Sequence, residues 1–351
     1  MKKFILVIVS LSFSSLSSFS QNLIAVQNNN TPQFFSDANE AFDAAVEGDT
    51  LYFPAGTFSL NQTIDKTLHI VGVGHNTNST AATGSTVFSG ASQQLPQLIY
   101  VSGGGGTVTG ISFSSVSASA LANIRVDSNI GNLLVDRVYI SGRIMFYTGI
   151  AENIFILRSI IGTLDLRTQN SNEPSGLISN NILLGRPHYV NNIQIDSNNF
   201  LSTPSTGFPV LYANGSSVVN NIFLTFQSNI TSSSSNSIFR NNFGLTIAGN
   251  SGSNFGSNNL FDSSIDENNI FVNYINSSSV VSYNYDMNFP EGSPLLTSGT
   301  SGGQIGIYGG RFPWKDGSIP FNPHIVSKNI SGTTDENGNL QVQIEVQAQG
   351  N

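Results

Sequence analysis

Six of the eight arginines in this chain of 351 residues fall between positions 125 and 186: Arg125, Arg137, Arg143, Arg158, Arg167 and Arg186. Six acids share the neighbourhood, namely Asp127, Asp136, Glu152, Asp165, Glu173 and Asp196. Such a mixture suits two reactions on sugar polymers. A cation beside a uronate carboxylate acidifies the adjacent proton, which a neighbouring base can then remove. Alternatively, two carboxylates at a fixed separation can hydrolyse a glycosidic bond. A third reading involves no reaction. Asp136 and Arg158 stand 22 residues apart, as do Arg143 and Asp165, so each pair can close an ion pair between neighbouring repeats. His188, in Arg186-Pro187-His188-Tyr189, interrupts the pattern and could line a sugar site or simply sit in a loop. The candidate groove near 125–196 therefore comprises Arg125, Asp127, Arg137, Arg143, Asp165, Arg167 and His188. No residue among them is assigned a catalytic role.

Other cofactor chemistry finds little support. No column of acids on successive repeats suggests calcium, and no two histidines stand at metal-ligand spacing. Gly103-Gly104-Gly105-Gly106 lacks the Lys-Ser/Thr of a phosphate loop. Neither a metal nor a cofactor is expected.

The element that must position these residues is a repeat. Apolar residues flank two polar ones in Leu133-Leu134-Val135-Asp136-Arg137-Val138, Phe155-Ile156-Leu157-Arg158-Ser159-Ile160 and Leu177-Ile178-Ser179-Asn180-Asn181-Ile182. The phrase continues at Asn198-Asn199-Phe200, Asn220-Asn221-Ile222, Asn241-Asn242-Phe243 and Asn258-Asn259-Leu260. Aligned on the last apolar residue, the steps are 22, 22, 18, 22, 21 and 17 residues. A period of about 20 residues is the signature of a solenoid, one coil per repeat. Two positions before the alignment residue stand Asp136, Arg158, Asn180, Asn198, Asn220, Asn241 and Asn258. Asparagine tolerates the left-handed backbone of a sharp turn, and stacked amides bond to their neighbours. This column is expected to be a structural asparagine ladder; a row of amides binding glycan is the other possibility.

Composition narrows the partners. Lys2-Lys3, the apolar run Phe4 to Val9 and the small residues Ser18 and Ser20 read as a signal peptide over 1–20, so export to the periplasm, cell surface or medium is expected. Without Lys2 and Lys3, 11 basic residues face 21 acidic ones, a net charge of −10, which disfavours nucleic acid and anionic membrane. No later stretch is long and apolar enough for a membrane span. With no cysteine, stability comes from packing alone. Asparagine supplies 42 residues, so the chain solubilises itself with amides more than with charges.

Taken in order, residues 36–47 read as a short helix, with Asp37 as N-cap and Ala41, Phe42, Ala45 and Val46 as its apolar stripe. The strands Asp49-Thr50-Leu51-Tyr52-Phe53 and Leu68-His69-Ile70-Val71-Gly72 follow, and 77–106 reads as a longer loop. The helix together with Gly48-Asp49-Thr50-Leu51-Tyr52-Phe53-Pro54-Ala55-Gly56-Thr57 and Leu68-His69-Ile70-Val71-Gly72-Val73-Gly74 resembles the opening of secreted bacterial right-handed parallel β-helices, the pectate-lyase-like superfamily. Glu291-Gly292-Ser293-Pro294-Leu295-Leu296 and Gln304-Ile305-Gly306-Ile307-Tyr308 resemble the closing coil of such proteins, with Gln304 where an Asp is usual. The resemblance implies an all-β, single-stranded right-handed parallel β-helix over 21–310, closed by an N-terminal capping helix. It is silent on activity, because no family catalytic motif is recognisable. Beyond it, Leu340, Val342, Ile344 and Val346 alternate with polar residues after Asn337-Gly338, which predicts a C-terminal hairpin within 311–351 that covers the C-terminal end. The favoured function is binding of an extracellular or cell-surface polysaccharide; a polysaccharide lyase or glycoside hydrolase is the alternative.

Overall fold

In the computed structural model, residues 22–28, 31–90, 95–114, 122–167, 174–185, 187–201, 210–211, 213–227, 231–232, 234–245, 253–260, 269–274 and 281–348 are described. The expected signal peptide and Arg186 lie outside them. The chain is all-β, dominated by two long sheets of 12 strands each. In the first sheet, Thr50–Tyr52, Thr67–Val71, Gly105–Thr109, Leu133–Asp136, Ile154–Leu157, Gly176–Ser179, Ile193–Asp196, Ser217–Val219, Ile238–Arg240 and Phe255–Ser257 follow one another in parallel. Only the first two strands, Ile24–Asn28 and Thr31–Phe35, are antiparallel additions to it. Parallel pairing at one-repeat intervals is the arrangement expected of a β-solenoid.

Register explains the core. Leu51, Ile70, Val108, Val135, Ile156, Ile178, Ile195, Val218 and Phe239 are successive partners in one column, and all are buried. A second inward column runs Phe58, Phe88, Phe113, Ile140, Ile161, Leu183, Phe200 and Phe223 along the second sheet. Its rings touch, with Phe88 and Phe113 at 5.5 Å and Phe200 stacked on Phe223 at 4.5 Å. Both columns belong to one apolar cluster. A third row of strands, Gln62–Ile64, Leu98–Tyr100 and Ile124–Val126, joins the later halves of Tyr139–Phe146 and Ile160–Asp165.

The helix spans Ala38–Ala44, shorter than expected, and buries Ala38, Ala41 and Phe42 in the same core. Asp37 caps it, accepting from Asn39 N at 2.8 Å and Glu40 N at 3.1 Å. Lys66 Nζ takes the carbonyls of Phe42 and Ala45 at the other end, so the chain leaves the helix at Ala45 and Val46 is 50% exposed. The stretch 77–106 is not one loop: it contains the paired strands Thr86–Gly90 and Leu98–Tyr100.

The asparagine column needs correction. Ile182 pairs with Asn199 and Asn199 with Ile222, so these steps are 17 and 23 residues, where the phrase alignment has 18 and 22. The left-handed corner is occupied by Arg137, Arg158, Asn180, Ser197, Asn220, Asn241 and Asn258, with φ between 45° and 59°. The hydrogen-bonded ladder is the next position inward: Asn181, Asn198, Asn221, Asn242 and Asn259. Each Nδ2 donates to the next Oδ1 at 3.0 Å. Asn198 alone of the predicted ladder residues belongs to it; Asn180, Asn220, Asn241 and Asn258 form the corner.

The C-terminal segment also departs from expectation. It adds no closing strand pair but runs back along the corner from later repeats to earlier ones. Asn241 Nδ2 donates to Ser298 O at 2.9 Å, Thr300 N donates to Asn220 Oδ1 at 2.9 Å, and Asn180 Nδ2 donates to Ile307 O and Gly309 O at 2.8 and 2.7 Å. This strap approaches so closely that a Cβ at Gly306 would strike Asn199 and Ile222, and one at Gly310 would strike Ser197. Beneath the strap lies a second apolar cluster, built on the outward column Ile160, Ile182, Ile222 and Phe243 with Met287, Leu295, Ile305 and Ile307 above it. The expected hairpin is present as His324–Thr334 and Leu340–Gln347. It leaves the body beside the first strands, where His324 and Ile325 share a hollow with Leu23, Ala25 and Tyr52, and not at the C-terminal end it was expected to cover. Leu340, Val342, Ile344 and Val346 are each at least 50% exposed.

Candidate functional site

The arginine-rich set divides in two. Arg137 sits at the corner, 1% exposed, with Nη1 2.8 Å from Asp136 Oδ2. Arg158, one repeat on, donates Nε and Nη2 to the same carboxylate at 2.8 and 2.9 Å. Phe321 of the strap lies 3.7 Å from the Arg137 guanidinium and 5.1 Å from that of Arg158. Burial raises the Asp136 carboxyl and lowers the Arg137 guanidinium to about 10, and the attraction between the opposite charges works against both shifts. These two arginines, closed in beneath a phenylalanine, cannot reach a polymer.

The other six candidates share the third face. Arg125 pairs with Met145, Met145 with Asp165, and Asp165 bridges to His188, which makes one column. Arg125 Nη2 binds Asp127 Oδ2 at 2.5 Å. Asp165 Oδ2 receives Arg143 at 3.8 Å and Arg167 at 3.1 Å, and Asp165 Oδ1 also accepts Arg167 N at 3.2 Å. Two rings complete the strip: Arg125 stands 5.9 Å from the Tyr147 ring and Arg167 4.9 Å from the Tyr189 ring. Asp165 draws the Arg167 guanidinium further above its ordinary value. The 22-residue ion pairs do form, but diagonally. Asp136 is opposite Leu157 and Asp165 is opposite Met145, so neither acid is directly opposite its arginine.

This arrangement limits the chemistry. Asp127 and Asp165 each accept from arginine, while Asp127 Oδ1 is buried with no hydrogen-bond partner among the described residues. What remains presented is positive charge, with Arg125 and Arg167 against rings: Arg167 keeps 54% of its side chain exposed, Arg143 27% and Arg125 28%. Successive repeats are about 4.8 Å apart, so these cations and rings lie within a few repeats of one another on the face. Among the described residues no group of three His, Asp or Glu could hold a metal. No helix among them is long and apolar enough to cross a membrane.

A second site escaped sequence reasoning. Between the strap and the outer face of the second sheet is a cavity of about 290 Å³. Ile160 and Ile182 form part of its floor, and Tyr283, Tyr285, Tyr308 and Trp314 are among its walls, with Asp286 and Asp316 also lining it. At its edge His75 is buried and bonded on both nitrogens. Tyr283 Oη donates to His75 O at 3.0 Å, so Nδ1–H donates to Oη at 2.9 Å and Nε2 accepts from Ser318 Oγ at 3.0 Å. Burial pushes His75 down to about 3. These contacts fasten the strap to His75. Apart from Asn76, Ile160 and Ile182, the described lining comes from positions 281–318, beyond the repeat, where the sequence signal is the density of tyrosine around the single tryptophan.

No protein-family model and no curated protein matches this chain.

Proposed function

We propose that the protein is an exported, right-handed parallel β-helix of the pectate-lyase-like kind, with its N-terminal helix as a cap. In this reading it binds an acidic extracellular or cell-surface polysaccharide along the third face without cleaving it. The observation that carries the reading is the strip itself. Arg125 and Arg167 each lie against a tyrosine ring, and each is ion-paired with a neighbouring aspartate. A guanidinium recognises a uronate carboxylate in bidentate fashion, and an aromatic face takes the apolar side of a sugar ring. The chain's overall negative charge does not defeat this, because exposed charges are screened beyond about 8 Å at physiological salt.

The test uses the protein lacking residues 1–20, incubated with a panel of polyuronates and neutral polymers. Retention on a uronate polymer with no unsaturated product in the ultraviolet is expected. The double variant R125A/R167A should bind roughly tenfold or more weakly, and added salt should weaken the wild-type protein in the same way. Unsaturated product from any polyuronate would replace this reading with the lyase, and equal retention of the double variant would remove the strip from it.

A further inference from the structure

We propose that the cavity under the strap is a second and separate binding site, for one neutral pyranose ring, such as the end unit of a glycan. Its size comes first. At about 290 Å³ it lies at the lower limit of small-molecule pockets, which suits one ring and excludes a polymer chain. Its walls are half-buried aromatics, Tyr283, Tyr285, Tyr308 and Trp314, each combining an apolar face with a polar edge.

The polar groups are set in place before any ligand arrives. Tyr308 Oη donates to Asp316 Oδ1 at 2.7 Å, which fixes that carboxylate through one oxygen. Asp286 Oδ1 is held in the same way by Asn288 N at 2.9 Å and Asn288 Nδ2 at 2.7 Å. Among the described residues, Oδ2 of both aspartates accepts no hydrogen bond. Two fixed carboxylates with an oxygen to spare are acceptors for vicinal sugar hydroxyls, at little ordering cost. The backbone N–H of Trp314 donates to Ile307 O at 2.7 Å, which anchors the indole.

Charge sets the class of ligand. Among the described lining residues there are two aspartates and no lysine or arginine, so a uronate or a phosphorylated sugar meets repulsion there. The strip on the third face makes the opposite choice. One strand, Ile160–Asp165, serves both: Ile160 lies in the cavity floor and Asp165 in the strip.

Because the chain has one tryptophan, its fluorescence reports on this cavity alone. The full protein is titrated separately with glucose, galactose, mannose, N-acetylglucosamine and, as the anionic probe, galacturonate. A saturable change in Trp314 emission with at least one neutral sugar, and none with galacturonate, is the expected result. Asp316→Asn should weaken that binding roughly tenfold or more, and so should Asp286→Asn, while Arg167→Ala leaves it unchanged. Circular dichroism and the unfolding temperature of each variant verify that it folds. The proposal is overturned if no neutral sugar produces a saturable change, or if galacturonate binds as tightly as the best of them. It is also overturned if both aspartate variants, folded, bind like the wild type. None of these outcomes bears on polyuronate retention, which reads the third face.

Discussion

Acid should loosen this protein through His75, and the size of the effect follows from its surroundings. The ring is 2% exposed, with Tyr139 and Tyr283 flanking it at 6.1 and 5.7 Å and Ser318 on Nε2. Desolvation lowers its pKa from 6.5 to about 3 in the folded state. Between those two values the unfolded chain binds a proton that the folded chain refuses. Stability is therefore lost as pH falls through 6.5 and continues to fall toward 3. Between pH 7.5 and pH 5 the linkage amounts to about 2 kcal/mol, and to about 3 kcal/mol by pH 4. That window lies mostly above the range in which ordinary carboxylates titrate. Urea unfolding followed by Trp314 emission at pH 7.5 and pH 5 measures the change. His75→Gln keeps polar contacts with the strap but cannot take up a proton, so it starts less stable and loses about 2 kcal/mol less on acidification. The remaining histidines are common to both proteins and cancel in the difference. Equal losses in wild type and variant would refute the argument, since they would mean that the folded protein protonates His75 as readily as the unfolded chain.

Two further substitutions separate structural roles. Asn221→Ala removes an amide that donates to Ile195 O, Val219 O and Asn242 Oδ1 and accepts from Asn198, all within the buried ladder. It should cost about 3 kcal/mol or more in urea unfolding, against about 1 kcal/mol for Asn258→Ala at the corner, where only the left-handed preference is lost. Asp136→Ala strands two arginines beneath Phe321 and should cost about 3 to 5 kcal/mol, whereas Asp127→Ala, in a part-exposed pair, should cost under about 1 kcal/mol. A comparable cost for the two aspartates would undo the division of the arginines into buried and presented groups.

The repeat was legible because one coil must bury its inward residues on the next, and that imposes a period. Leu51, Ile70 and their successors could be read from apolar spacing alone. The register was misread by one residue for a local reason. An Asn-Asn pair supplies the corner and then the ladder, so Asn180-Asn181 and Asn220-Asn221 look self-evident. At Ser197-Asn198-Asn199 the corner is serine and the ladder is the first asparagine, while Asn199 faces outward toward Ile307. Aligning on the second asparagine slips that coil. The strap was illegible for the opposite reason. It has no period, and its contacts with the repeats and with His75 reach across 57 to 243 positions. The cavity, built mostly from the strap over Ile160 and Ile182 of the sheet, shares that obscurity.

The corner column shows how the strap decides which arginines are chemistry and which are scaffold. Every residue there must adopt a left-handed backbone, which costs a non-glycine residue about 1 to 2 kcal/mol, and asparagine least. Where the strap offers carbonyls, at Ser298, Ile307 and Gly309, the corner is Asn241 and Asn180, whose amides donate to them. Where it offers rings, Phe312 and Phe321, the corner becomes Arg158 and Arg137, whose guanidiniums lie over those faces. Aspartate at position 136 pairs with both and offsets one of the two enclosed positive charges. The arginines that cluster in sequence thus answer to two demands, one from the strap and one from solvent on the third face. The second group, with Arg167 the most exposed of its ion-paired members, is the one that faces solvent. A search for function among the arginines should therefore begin at positions 125, 143 and 167 and leave 137 and 158 to the fold.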